Sequence, residues 1–230
     1  MIRLPDLVRK YAFKTPDKPA TFFEGRTHSW SEFSTRIHGI AKALKGLGVG
    51  QQDRVAFLGM NSHWLVEMYL APSMIGAICT PINYRLSVDE MAVILEDSTP
   101  CVLIVDRHFS ARAALMMEKC PFIKHLIYAD WDAPGSDTPA NTLSYDVLIK
   151  EAGFVAPDQF DDIASVSDDT MVLFYTSGTT GVPKGVMLSH SNMLANATGT
   201  GPLYKYQNDD VLLLSGPLFH MGTGSRVFTS

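Results

Sequence analysis

Tyr175 to Val186 reads YTSGTTGVPKGV, a loop rich in glycine and hydroxyl side chains that carries one lysine and follows directly on the apolar run Met171 to Phe174. Its composition suits a phosphate cradle. The glycines at 178, 181 and 185 carry no Cβ, so the backbone can turn sharply and bring its N–H groups close to an anion. Thr176, Ser177, Thr179 and Thr180 add hydroxyl donors, and a hydroxyl also ligates a magnesium ion bridging phosphate oxygens. Lys184 supplies the charge. A unit-charge pair at ~4 Å in an effective dielectric near 20 is worth roughly 4 kcal/mol before desolvation, so one lysine does not hold a polyphosphate alone. Amides, hydroxyls and metal have to share the load.

Gly/Ser/Thr composition most often marks a solvated linker. Three features separate this loop from one: it follows a strand-like run, it sets Pro183 beside its only cation, and it returns at once to the apolar Val186, Met187 and Leu188. The Walker A order G-x-x-x-x-G-K-[ST] is absent, because Pro183 precedes the lysine and Gly185 follows it. That disfavours a kinase or P-loop GTPase.

Outward from the loop, the chain reads as β-α repeats. Leu4, Leu7, Val8, Tyr11 and Ala12 have helical spacing, closed by Pro16 and Pro19. A small hairpin is expected about Glu24 and Gly25, and Ser29 with Glu32 forms a capping box for a helix running to Gly48. Strands are expected at Arg54 to Leu58, Ala77 to Thr80, Cys101 to Val105 and Leu126 to Ala129. Helices alternate with them at Trp64 to Ile75, Val88 to Glu96 and Phe109 to Lys119. Such alternation predicts an α/β fold, a parallel sheet with helices on both faces. Tyr145 to Ala152 reads as one more helix. Gly153 to Ser167 loses periodicity, which suggests a subdomain boundary and a division into residues 1–160 and 161–230. Val186 to Leu188 reads as a returning strand, Ser191 to Ala197 as a helix start, and Val211 to Leu214 as a buried strand leading to Pro217-Leu218-Phe219-His220. Both candidate motifs then sit at strand ends, where open α/β sheets bind ligands.

Composition narrows the function classes. A hydrophobic content of 46% over 230 residues indicates a folded core, and a formal charge of −5 offers no basic field for nucleic acid. Cys79, Cys101 and Cys120 are odd in number and widely spaced, which fits buried thiols in a reducing compartment better than a zinc or disulfide framework. No apolar run approaches membrane-spanning length, and the first residues lack a signal peptide's apolar core, so a cytoplasmic location is expected. His28, His38, His63, His108 and His125 are scattered and receive no catalytic role. Trp64, Tyr69 and Met74 read as core.

YTSGTTGVPKGV resembles the phosphate-binding loop of the adenylate-forming superfamily, which includes acyl- and aryl-CoA synthetases, peptide-synthetase adenylation domains and luciferases. Pro217-Leu218-Phe219-His220 resembles the segment beside that family's acyl-adenylate site, and the text from Leu7 through Asn83-Tyr84-Arg85-Leu86 to Asp97 reads like its amino-terminal region. The resemblance implies the amino-terminal part of the large domain, with ATP, Mg²⁺ and coenzyme A as cofactors and a small carboxylic acid as substrate. Thr176, Ser177, Gly178, Thr179, Thr180, Gly181 and Lys184 would cradle the nucleotide's phosphates, with Thr179 or its neighbour near the metal. Lys184 and His220 are the catalytic candidates. Alone, His220 reads as a core histidine satisfied by a backbone carbonyl; its place after Pro217-Leu218-Phe219 favours a role lining the acyl pocket or orienting the carboxylate.

The family's later elements, among them an acidic metal ligand, a ribose aspartate and a mobile lysine, would fall beyond Ser230. The chain is therefore expected to be an amino-terminal portion, inactive alone, with uncovered apolar faces that favour a homodimer or aggregate. Two alternatives remain at this point: a non-catalytic nucleotide-binding or scaffold module, and an adenylation domain serving a carrier-protein thiol.

Overall fold

In a computed structural model of the chain, residues 3–130, 141–156, 158–160, 166–176, 183–207 and 209–228 are described. Helix α1 (Leu4–Lys14) leads into an antiparallel hairpin of β1 (Pro19–Phe23) and β2 (Arg26–Ser29). Glu24 and Gly25 form its turn with φ of 47° and 77°, the positive pair that matches the twist of two-residue hairpins. Ser29 then opens α2 (Trp30–Gly46). Its hydroxyl accepts the Glu32 N–H at 3.2 Å while Glu32 Oε2 accepts the Ser29 N–H at 2.8 Å, the capping box expected from the sequence.

Strands and helices then alternate as β3 (Arg54–Leu58), α3 (His63–Met74), β4 (Ile78–Ile82), α4 (Val88–Ser98), β5 (Val102–Asp106), α5 (Ser110–Lys119), β6 (His125–Ala129), β7 (Leu143–Ser144) and α6 (Tyr145–Ala152). A second hairpin, β8 (Thr170–Thr176) and β9 (Lys184–Ser189), is followed by α7 (His190–Tyr204) and the short α8 (Met221–Gly224). Seven strands form one sheet in the order β7-β6-β5-β3-β4-β8-β9, parallel except for the β8–β9 pair.

The expected α/β fold with helices on both faces is what the chain adopts. Side chains alternate across each strand, so Val55 and Phe57 of β3 join a core with α1, α2 and α3, while Ala56 and Leu58 join a second core with α4 and α5. Buried on both faces, the central strands carry continuous apolar runs. Helix α3 is buried at every position except Val66, and such a helix has no polar stripe to advertise it.

Two features of this frame position the site. β4 lies on one side of β3 and β5 on the other, so the chain reverses its travel across the sheet at β3. Ligands of open α/β sheets sit beyond the carboxyl ends of strands at such a point, and Gly59 to Ser62 leave β3 there. The second feature is the β8–β9 hairpin, in which Thr176 at the end of β8 pairs with Lys184 at the start of β9.

One expected strand is absent. Val211 to Leu214 forms no strand, with Val211 93% and Leu213 84% exposed while Leu214 packs against the core. Its alternation is strand-like. Among the described residues, however, no neighbouring strand gives it a ladder, and alternation alone does not supply one.

Candidate adenylate site

The stem of the loop is an antiparallel register in which Thr176 pairs with Lys184 and Tyr175 with Gly185. Thr176 and Lys184 are both exposed at the carboxyl end of β8. Ser177, Gly178, Thr179, Thr180 and Gly181 lie outside the described residues. Tyr175 anchors the stem: its hydroxyl donates to Asp97 Oδ2 at 2.5 Å, on the last turn of α4. Burial and the Asp97 carboxylate push the phenol pKa up, so the group stays a neutral donor. Gly185 makes room for the ring, since a Cβ there would stand 2.9 Å from Leu173 Cδ1 and 3.2 Å from Tyr175 Cζ.

The Pro217 to His220 segment is not preceded by a strand, yet it lies against the carboxyl end of β3. Asn61 holds it and the residues just before it with three hydrogen bonds: Nδ2 donates to Leu214 O at 3.1 Å and Gly216 O at 2.7 Å, and Oδ1 accepts the Leu218 N–H at 2.9 Å. From α3, the buried Tyr69 hydroxyl donates to Leu218 O at 2.5 Å. Phe219 meets Tyr84 edge-on with centroids 5.1 Å apart, and the Arg85 guanidinium stands 5.9 Å from the Phe219 centroid. Two sequence-distant stretches, Asn83 to Leu86 and Pro217 to His220, are thus joined in one wall.

His220 is exposed and caps α8, with Nδ1 accepting the Gly222 N–H at 3.1 Å. An accepting Nδ1 leaves the neutral imidazole's proton on Nε2. No hydrogen bond or ring contact joins Lys184 to His220. Asn61 went unrecognised in the sequence, and Tyr69 read only as core. The available signal was Asn61's place directly after a buried strand, where a polar side chain has a ligand edge to serve.

A second cluster lies under the first hairpin. His28, His63 and Glu67 offer ligand atoms all within 4.8 Å of one another. Arg36 fills the place a metal would take: Nε donates to Glu67 Oε1 at 2.5 Å, Nη2 to Glu67 Oε2 at 3.2 Å, and Nη1 to Asp146 Oδ1 at 2.6 Å. Burial and the neighbouring Arg36 charge depress the His63 pKa to about 2, so its ring is neutral. Burial raises the Glu67 pKa, and Arg36 opposes that by holding the ionised form. Two of the five scattered histidines, His28 and His63, are brought together here beside a guanidinium.

A cleft of about 300 Å³ opens at the carboxyl ends of β3, β5 and β6, lined in part by Phe23, Met60, Trp64 and Asp130. Its charges are paired within the protein. Arg107 spans Glu24 and Asp130, at 3.1 and 3.5 Å, and Asp106 accepts the Met60 and His108 N–H groups.

Comparison with known proteins agrees with this fold. The chain is 32% identical over 222 residues to indoleacetate–CoA ligase of Aromatoleum aromaticum, an alignment covering 96% of this chain and 41% of that protein. It superposes on the inhibitor-bound N-terminal domain of FACL13 from Mycobacterium tuberculosis with a TM-score of 0.79 at 26% identity, covering 100% of this chain and 55% of that one. The Bacillus subtilis o-succinylbenzoate CoA synthetase MenE, in complex with ATP and magnesium, gives 0.75 at 25% identity over 96% of this chain and 53% of that one. The chain spans about two-fifths of the length of the curated relatives it matches. With the family model for AMP-binding enzyme matching residues 8–229, the chain belongs to the AMP-binding enzyme family.

Proposed function

We propose that this chain is the phosphate-loop-bearing amino-terminal portion of an AMP-forming acid–thiol ligase. In the first step a substrate carboxylate oxygen bonds to the α-phosphorus of ATP as the bond to the pyrophosphate oxygen breaks. In the second, a thiol sulfur bonds to the acyl carbon, AMP leaves, and the thiol proton passes to solvent. The observation that supports this reading is the stem register of Thr176 with Lys184, because the seven residues between them in sequence, 177–183, are the glycine- and hydroxyl-rich part of the motif.

The transition state demands donors for leaving-group oxygens and a way to bring two anions together. Lys184 and the hydroxyls of Thr176, Ser177, Thr179 and Thr180 would serve the phosphates, and Thr179 would help hold a Mg²⁺ ion, which would supply neutralisation of the phosphate charge. His220 and the Phe219–Tyr84 wall face the acid. Coenzyme A is the proposed acceptor, and a carrier-protein thiol is the second reading.

The chain's share of its relatives' length favours a division of labour, in which these residues bind nucleotide and turnover requires the longer polypeptide. Carboxylate-dependent exchange of labelled pyrophosphate into ATP by the native protein, run against a panel of aryl and aliphatic acids, tests the reading. Exchange with at least one acid is expected; none with any acid, in protein that binds ATP, removes it.

A further inference from the structure

The strongest unassigned relationship in the molecule is the grip of Asn61 and Tyr69 on Leu218. Both backbone groups of Leu218 are taken by side chains: its N–H donates to Asn61 Oδ1 at 2.9 Å and its carbonyl accepts from the Tyr69 hydroxyl at 2.5 Å. Leu218 is itself 2% exposed. Backbone groups in such a segment normally find partners in a ladder or a helix; here, with no strand formed at 211–214, two side chains from the other end of the sequence do that work.

Asn61 is rigidly held. On one side Met60 N–H donates to Asp106 Oδ2 at 2.5 Å, and a Cβ on Gly59 would stand 2.7 Å from the same oxygen, so the exit from β3 is packed tight. On the other side Ser62 caps α3, its hydroxyl accepting the Leu65 N–H at 3.3 Å. Asn61 therefore projects from a fixed turn at the switch point, and its two Nδ2 bonds add Leu214 O and Gly216 O to the grip. The far side is equally close: a Cβ on Gly224 would lie 2.6 Å from Leu218 O, 2.7 Å from the Tyr69 hydroxyl and 2.9 Å from Phe174 Cζ. Phe174 belongs to β8, the strand that enters the phosphate loop.

We propose that Asn61, with Tyr69, is a positioning residue that fixes His220 and Phe219 against the carboxyl edge of the sheet and so sets the acid-binding wall relative to β8. This rests on the ligase reading above. Neither side chain needs to touch substrate. Their effect passes through Leu218, one residue from Phe219 and two from His220.

The test uses Asn61→Ala, which removes all three bonds, and Tyr69→Phe, which keeps the buried ring and removes only the hydroxyl. In the 230-residue chain, exchange of the Leu218 amide is expected to accelerate at least about tenfold in Asn61→Ala, with β8–β9 amides unchanged. The His220 ring signals should shift in both variants. In the native protein, assayed well below the melting temperature of each variant, KM for the carboxylic acid should rise about tenfold or more while KM for ATP stays within about twofold. A merely structural role predicts a lower melting temperature with Leu218 exchange, His220 signals and acid KM unmoved, and that result overturns the proposal. Acid and ATP KM rising together also overturn it. Should Asn61→Ala fail to fold, Tyr69→Phe decides through the His220 signals and the KM split. A wild-type protein with no carboxylate-dependent activity sinks the ligase reading instead, and Leu218 exchange with the His220 signals then judges the positioning alone.

Discussion

The Tyr175 hydroxyl donates to Asp97 Oδ2 at 2.5 Å, and this bond ties the carboxyl end of β8 to the last turn of α4. Tyr175→Phe should cost about 1 kcal/mol in urea denaturation, the usual net worth of a hydrogen bond, since solvent at this exposed pair screens the extra strength of the charge. Asp97→Asn keeps an acceptor and should cost less. Equal losses in the two variants would show that the bond does not carry the anchoring.

Gly185→Ala places a methyl 2.9 Å from Leu173 Cδ1 and 3.2 Å from Tyr175 Cζ, closer than side chains tolerate without shifting. We expect roughly 1–3 kcal/mol of destabilisation from overpacking. Adding Leu173→Ala to that variant removes one of the two clashes and should make the second substitution less costly than it is in the wild type. Additive losses would place the strain elsewhere.

Arg36 carries two carboxylates, Glu67 and Asp146, in a nearly closed site. Glu67→Ala leaves a buried guanidinium half-partnered and should cost about 3–5 kcal/mol by thermal or chemical unfolding. Zinc should not raise the melting temperature of the wild type, because Arg36 already bonds both Glu67 oxygens. A zinc-dependent rise of several degrees would contradict that account of the cluster.

Acid should destabilise the fold through its buried imidazoles. His190 Nδ1 accepts the Leu4 N–H at 3.4 Å, which joins α7 to α1, and burial with the nearby Arg3 charge depresses its pKa to about 4. The unfolded imidazole, near 6.5, takes its proton first. The contribution is therefore complete above about pH 6.5 and is lost as pH falls from there towards 4, at up to about 1.4 kcal/mol per pH unit. His63, held down to about 2, extends the loss to lower pH. His190→Asn should be less stable at neutral pH and show a shallower slope between pH 6.5 and 4. An unchanged slope would remove His190 as a cause.

The fold was legible because its strands are continuous apolar runs of strand length and its helices announce themselves with caps. Ser29 with Glu32 forms the expected box, and Ser87 with Glu90 forms another. Val211 to Leu214 misled for the same reason: alternation reports which way side chains point, and pairing depends on a neighbour that composition does not reveal. At the site, the phosphate loop and Pro217-Leu218-Phe219-His220 carry local signatures. Asn61, Tyr69 and Arg36 do not. Their roles arise from contacts spanning 153 to 157 residues for Asn61, 149 for Tyr69 and 31 to 110 for Arg36, distances over which a single sequence gives no pairing information. The histidines at 28 and 63 looked scattered for that reason too, and their rings lie 5.0 Å apart.

The central proposal is that Lys184 and its hydroxyl neighbours form a nucleotide-binding element that binds ATP but does not turn over in the 230-residue chain alone. Titration of Mg·ATP into the 230-residue chain, followed by calorimetry and by AMP formation with carboxylic acids and coenzyme A present, tests it most directly. The account predicts saturable binding that Lys184→Ala weakens by about tenfold or more, the scale of one partly screened charge pair, and no AMP. Binding that Lys184→Ala leaves unchanged, or sustained AMP release from the chain alone, would contradict it.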